Sequence, residues 1–164
     1  MKTFKPLLGS MIAVSAIAAQ PAFAQSADST LAVSATVSNN CVISTTPLDF
    51  ATVDVTSGND VDGTGGFSVT CTSGANWTAT ADAATGSGAT FAARQMTNGT
   101  EVMTYALYTD AARSTVWGDA TATDIDGVGT GAAQATTIYG RIPSGQSALP
   151  SGTYNDTVTV TVTY

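Results

Sequence analysis

The chain has 164 residues, of which twelve are acidic and five are basic, so its formal net charge at pH 7 is −7. An acidic surface of this kind disfavours nucleic acids and anionic membranes as partners. The chain also contains no histidine, which removes Ser-His-Asp and Cys-His catalysis and the commonest metal ligand.

The first 24 residues have the features of a secretory signal peptide. Lys2 and Lys5 precede an apolar stretch that ends in the small-x-small pattern Ala22-Phe23-Ala24. This stretch is too short to span a bilayer comfortably, and no later segment is apolar enough to do so. We therefore expect export and cleavage after Ala24. The remaining 140 residues suit one domain and carry three arginines against twelve acids, a net charge of −9.

The two cysteines, Cys41 and Cys71, both lie in the exported part of the chain. An even pair in an oxidising compartment predicts a disulfide. The bridge closes a loop of about 31 residues, which is worth roughly 3.7 kcal/mol in the chain-entropy description.

Apolar residues alternate with polar ones along most of the chain, which is the pattern of half-buried strands. The first such segment places Leu31, Val33, Ala35 and Val37 on one face. Shorter alternating runs follow at Phe67–Cys71, Met103–Leu107 and Ile138–Ile142. The longest is the last, Tyr154–Tyr164, which has threonines on one face. The opposite face of this run carries Val158, Val160, Val162 and Tyr164.

Glycine dipeptides punctuate these runs. Asp62-Gly63, Asn98-Gly99 and Asp126-Gly127 predict turns, because their residues tolerate positive φ. The sequence contains no convincing amphipathic helix. Many short strands with regular turns predict an all-β sandwich.

Candidate chemical sites are few. The pairs Asp60/Asp62 and Asp124/Asp126 suit either a calcium ion or turns, and the missing glutamate of a calcium loop favours turns. Trp77 and Trp117 suit either a sugar-binding platform or the core, and we favour the core. No pair of carboxylates stands out for glycoside hydrolysis. We expect no catalytic residue, no metal and no cofactor.

The two ends of the chain are unusual. The sequence stops on its strongest strand, and a long open strand edge invites pairing with another chain. The segment before Cys41 looks detached and offers an alternating strand. On the residues alone, two interpretations of this segment remain open: a strand donated to another chain, or the first strand of the same domain.

The chain resembles the spore coat U family, which includes subunits of archaic (Csu-type) chaperone–usher pili. The resemblance covers nearly all of the exported sequence, and its C-terminal motif is the most specific part. The one departure is Ala51, where the family usually has glycine. The motifs that carry the resemblance are Cys41, Leu48-Asp49-Phe50, Phe67-Ser68-Val69-Thr70-Cys71-Thr72, Arg94, Met96, Tyr105-Ala106-Leu107-Tyr108-Thr109-Asp110, Arg113, Trp117-Gly118-Asp119, Tyr139-Gly140-Arg141-Ile142-Pro143, Gly145-Gln146 and residues 152–164.

This resemblance implies an incomplete immunoglobulin-like β-sandwich that lacks its final strand and is completed by a donor strand from another chain. Residues 25–38 would be the donor segment, with Leu31, Val33, Ala35 and Val37 as its inward side chains. Residues 39–164 would be the pilin-like domain, whose acceptor strand carries Val158, Val160, Val162 and Tyr164. The carboxylate of Tyr164 would anchor a chaperone.

The implied function is that of a structural subunit of a surface pilus, supporting attachment and biofilm formation. Its implied partners are a periplasmic chaperone, an outer-membrane usher and identical or related subunits. The alternative is a secreted adhesin or coat-like surface protein that binds a surface or glycan through its loops. Because 140 residues leave no room for a second, receptor-binding domain, we expect a rod or adaptor subunit; an enzyme is the least favoured class.

Overall fold

The computed structural model describes residues 23–84 and 86–164, so most of the predicted signal peptide lies outside the described residues. The chain divides into two compact units, residues 1–35 and residues 36–164. In the first unit, residues 23–35 form no strand and are exposed. Among the described residues, no helix is long and apolar enough to cross a membrane.

The described residues of the second unit form eight strands in two antiparallel sheets, which confirms the predicted all-β class. One sheet has five strands in the order β1-β2-β7-β5-β4, and the other has three in the order β6-β3-β8. The strands are β1 (Cys41–Asp49), β2 (Val61–Cys71), β3 (Asn76–Ala81), β4 (Arg94–Thr97), β5 (Val102–Tyr108), β6 (Ile125–Val128), β7 (Ala133–Ile142) and β8 (Val160–Thr163).

The core lies between the sheets and follows the alternation of the sequence. Phe67 of β2 is buried against both tryptophans: it stacks on Trp117 with 5.5 Å between ring centroids and meets Trp77 edge to face. Edge and offset ring contacts of this kind stabilise a core beyond the area that they bury. Both tryptophans are therefore core residues, as favoured above, and neither forms an exposed sugar platform.

The predicted disulfide is present between Cys41 and Cys71, and the described residues contain no free cysteine. The two cysteines face each other directly in the β1–β2 ladder. The bridge therefore fixes the start of β1 to the end of β2, at the outer edge of the five-stranded sheet.

At the end of β1, beyond the register shift between Thr46 and Asp49, the chain lies against the inner face of the five-stranded sheet. Leu48 and Phe50 pack on a patch of glycines formed by Gly63, Gly65 and Gly140. A Cβ on Gly65 would lie 2.7 Å from the Cβ of Leu48, so only glycine lets the chain approach this closely. Gly63 is thus a strand residue of β2, and the predicted Asp62-Gly63 turn is wrong.

The predicted Asp126-Gly127 turn is wrong for a similar reason. Both residues belong to β6, and a Cβ on Gly127 would collide with the indole ring of Trp77. The Asn98-Gly99 turn is confirmed, since it joins β4 to β5 and Gly99 has φ of 96°. In the two incorrect cases glycine serves close packing rather than chain reversal.

Ala51, the one departure from the family pattern, has φ of 55°. Its backbone N–H donates to the Asp49 carboxylate at 2.7 Å, which closes a tight turn just after β1. A left-handed backbone costs an alanine about 1–2 kcal/mol, whereas glycine adopts it freely. This left-handed conformation explains why the family usually has glycine at this position.

The predicted C-terminal strand is shorter than expected. Regular pairing begins only at Val160, where β8 joins β3, whereas the prediction began at Tyr154. Upstream, Asn155 forms an isolated bridge with Thr97 at the end of β4. The segment thus leaves the five-stranded sheet and joins the three-stranded one, and a segment that changes sheets cannot keep one continuous ladder.

Candidate functional site

An open groove of about 1060 Å³ lies in the 36–164 unit. Its volume exceeds the usual 300–1,000 Å³ of a small-molecule pocket, and its shape is a trough between two segments, residues 45–55 and 149–160. The apolar side chains that line it are Leu48, Phe50, Val53, Val55, Met96, Met103, Tyr105, Leu107, Trp117, Ile138, Ile142, Leu149, Tyr154, Val158 and Val160. A trough of this size suits an extended peptide better than a small ligand.

One side of the groove is bordered by a strand with an unpaired edge. β8 pairs with β3, and no other strand of the described residues pairs with it. The side chains of Val158, Val160 and Val162 are half-buried, and the intervening threonines are exposed. The predicted alternation therefore holds for the three valines, whereas Tyr164, predicted on the same face, is 55% exposed. An edge strand beside an open groove is an arrangement to which a further strand can add.

The predicted donor segment is exposed in the structure. Leu31 and Val33 are each 87% exposed and Val37 is 82% exposed, and Ala35 is exposed too. β1 begins only at Cys41, so residues 30–37 are not the first strand of the domain, which was the other interpretation left open. A row of uncovered apolar side chains marks a surface that partners or membranes cover.

A hydrogen bond between two side chains of the lining lies inside the groove. The hydroxyl of Tyr105, a residue that is 5% exposed, donates to Oδ2 of Asp156 at 2.8 Å. Burial, together with this bond to a carboxylate, raises the pKa of Tyr105 well above its usual value. Tyr105 therefore stays protonated and acts as a fixed donor toward the segment that leads into β8.

The first acidic pair binds arginines and does not form the turn that was favoured for it. Arg141 donates to both carboxylate oxygens of Asp62, at 2.8 and 3.0 Å, and lies 3.3 Å from Asp60. The hydrogen bond from Arg141 lowers the pKa of Asp62. Arg113 reaches Asp62 from the other side at 3.1 Å. Among the described residues, no group of three or more acids or cysteines is placed to hold a metal.

Arg94 has a structural role that sequence patterns did not reveal. Its side chain is fully buried, and among the described residues its hydrogen bonds go to backbone carbonyls, those of Asp82, Phe91 and Trp117, at 2.7–3.1 Å. Burial lowers the pKa of Arg94, which nevertheless remains charged. Two of the carbonyls, those of Asp82 and Phe91, lie in the connection between β3 and β4, and that of Trp117 lies after β5. No local pattern announces the whole arrangement.

The described residues thus form a β-sandwich domain with two antiparallel sheets, a disulfide between the first two strands and an open groove. They contain no catalytic cluster. The model of the Spore Coat Protein U domain matches residues 27–161. The chain belongs to this family, as the resemblance predicted, and membership agrees with a structural protein rather than an enzyme.

Two similar proteins place the chain further. It is 38% identical to Protein U of Myxococcus xanthus over 167 residues, with 93% of each chain covered. Its fold matches a chain in the crystal structure of the CsuC-CsuE chaperone-tip adhesion subunit pre-assembly complex from archaic chaperone-usher Csu pili of Acinetobacter baumannii. That match has a TM-score of 0.57 and 19% identity, and it covers 79% of this chain and 40% of the solved one. The fold is thus the immunoglobulin-like sandwich that we expected.

Proposed function

We propose that this protein is a structural subunit of a chaperone–usher pilus and polymerises by donor-strand complementation. The observation that carries the proposal is the open groove, lined in part by core apolar side chains, beside the unpaired edge of β8. Residues 25–38 of a second copy fill this groove, with Leu31, Val33 and Val37 as the large side chains and Ala35 as the small one. The backbone of the donor pairs with the edge formed by residues 157–163, which includes Val158, Val160 and Val162.

The energies are compatible with a stable contact. Burying three such side chains contributes about 5–9 kcal/mol, and each ladder hydrogen bond adds about 0.5–1.5 kcal/mol net. Association costs about 4–15 kcal/mol. Donation from one copy to the next is a heterologous contact, which gives an open filament whenever the rotation does not close a ring.

The proposal extends to export and assembly. Residues 1–24 direct the chain to the periplasm, where a chaperone covers the groove and the carboxylate of Tyr164 anchors it. An outer-membrane usher then exchanges the chaperone for the donor segment of the next subunit, and the fibre supports attachment at the cell surface. The name of the solved neighbour, a chaperone–subunit pre-assembly complex, supports the chaperone step.

The test is a self-complemented chain: residues 25–164 with a second copy of residues 25–38 joined after Tyr164 by a short flexible linker. We expect residues 25–164 alone to aggregate or oligomerise and the self-complemented chain to be a monomer with cooperative unfolding, because the donor completes the core. Sedimentation and chemical denaturation measure both properties.

The matched control is the same fusion with serine at the counterparts of Leu31, Val33 and Val37 in the added copy. It keeps the length and backbone but loses the apolar side chains, so it should behave like the unfused chain. A stable monomer of residues 25–164 without any fusion would contradict the proposal.

A further inference from the structure

The stretch Asn155–Thr159, which leads into β8, belongs to neither ladder but is tied at three points. The first tie is backbone to backbone. Asn155 and Thr97 exchange two hydrogen bonds, at 2.9 and 3.0 Å, so the stretch begins at the edge of the five-stranded sheet. This tie fixes the start of the stretch. The rest of the stretch is held by two further ties, both of which involve side chains.

The second tie is the contact between Tyr105 and Asp156. The Asp156 carboxylate accepts from the Tyr105 hydroxyl through Oδ2 and from the backbone N–H of Thr157 through Oδ1, at 2.8 and 2.7 Å. One carboxylate thus joins the floor of the groove to the backbone of the edge. Val158, one residue further on, points into the groove.

The third tie lies where the β3–β8 ladder ends. The last regular pair is Ala81 with Val160, so the next pair in register is Asp82 with Thr159. A hydrogen-bonded antiparallel pair exchanges two N–H···O bonds. One is present, from the N–H of Asp82 to the carbonyl of Thr159 at 3.1 Å.

The other bond of this pair is supplied by a side chain. The carbonyl of Asp82 accepts instead from Nε and Nη2 of the buried Arg94, at 3.1 and 2.9 Å. The N–H of Thr159 donates to Oδ1 of Asp82 at 3.0 Å. The carboxylate therefore replaces the carbonyl that Arg94 has taken, and it extends the pairing by one residue along the groove.

We infer that Asp82 is a positioning residue for the acceptor edge: its carboxylate holds Thr159 so that the backbone upstream of Val160 is presented to an incoming donor strand. This inference rests on the proposed function, since it assigns a role in strand addition. The edge is arranged before the donor arrives, and such preorganisation lowers the ordering cost of binding.

The test compares Asp82→Ala with Asp82→Asn in the self-complemented chain, by amide hydrogen exchange. The asparagine oxygen can still accept from Thr159, so this variant should exchange within about threefold of the parent. Asp82→Ala should speed exchange about tenfold or more in residues 157–163 and in the added donor copy, because a bond to a charged acceptor is lost. The amides of β2 and β7 should not change, since local opening does not require global unfolding.

The matched control is Asp110→Ala. The carboxylate of Asp110 also accepts backbone N–H groups, from Ser114 and Thr115 at 3.1 and 2.7 Å, but it does not line the groove. This variant should leave the donor copy and residues 157–163 unchanged. Equal acceleration in all strands after Asp82→Ala, or no acceleration in residues 157–163, would overturn the inference.

The two proposals fail separately. Rapid amide exchange of the added donor copy in the unmutated self-complemented chain would overturn the proposed function. The exchange rates of residues 157–163 would still test the role of Asp82. If the alanine variant does not fold, Tyr105→Phe provides a second measurement. It removes the hydroxyl bond to Asp156 and keeps the ring, so exchange should rise at Asp156 and Thr157 but not in β2; no rise there would contradict the tied edge.

Discussion

Replacement of Arg94 by methionine is expected to lower the free energy of unfolding by about 3 kcal/mol or more. Methionine fills part of the space but donates no hydrogen bond, so the carbonyls of Asp82 and Phe91, in part-buried contacts, and that of Trp117, in a buried contact, lose their partner. Each unsatisfied buried group costs about 1–3 kcal/mol. Removal of the buried charge itself offsets part of this loss. Chemical denaturation of the self-complemented chain measures the difference.

The matched control for this substitution is Arg141→Met. Arg141 is also an arginine with several partners, but it lies on the surface, paired with Asp60 and Asp62. Exposed ion pairs contribute about 0–1 kcal/mol, so this variant should lose little. Similar losses in the two variants would show that the carbonyls around Arg94 do not depend on its guanidinium.

Loss of the disulfide is the second large expected effect. Cys41→Ser opens the bridge to Cys71, and the chain-entropy description assigns about 3.7 kcal/mol to a loop of this length. The loss also frees the segment formed by β1 and the residue after it, whose Leu48 and Phe50 line the groove. We expect the variant not to accumulate in the periplasm, as measured by the amount of protein in that fraction.

The double variant Cys41→Ser/Cys71→Ser is the control, because it removes the unpaired thiol of Cys71 along with the bridge. It should fail to accumulate to the same extent, which would exclude aberrant thiol chemistry as the cause. Accumulation of Cys41→Ser at the level of the parent would contradict a stabilising role for the bridge.

The sequence allowed the sandwich to be predicted wherever local alternation decides burial. Phe67, Val69 and Cys71 of β2 all point into the core, as the period of two required. The disulfide was predicted from the oxidising compartment that we expect for an exported chain and from the even number of cysteines. The same alternation predicted the half-buried valines of the segment after Tyr154. These features depend on neighbouring residues and on composition, both of which a sequence displays.

The remaining features depend on contacts between distant segments. Gly63 and Gly127 look like turn residues, but the requirement for glycine comes from Phe50 and Trp77, which are remote along the chain. Arg94 finds two of its three acceptors, Asp82 and Trp117, 12 and 23 residues away, and Thr159 finds its acceptor in Asp82. Such partners are brought together only by the folded sheets, so local patterns contain no signal for them.

The central claim is that the groove of one copy receives residues 25–38 of another, and a mixing experiment tests it most directly. A donor-disabled chain, residues 25–164 with Leu31→Asp and Val33→Asp, keeps its groove but cannot donate. The self-complemented chain has its groove filled but keeps a free N-terminal segment. The two proteins are refolded together, and the mass of any complex is measured by sedimentation.

A 1:1 heterodimer is the predicted result, since only one groove and one donor are available between the two proteins. Introducing the same two aspartates into the N-terminal segment of the self-complemented chain should abolish the complex. Two proteins that remain separate after refolding, or a donor-disabled chain that still forms long polymers by itself, would contradict donation of residues 25–38 into the groove.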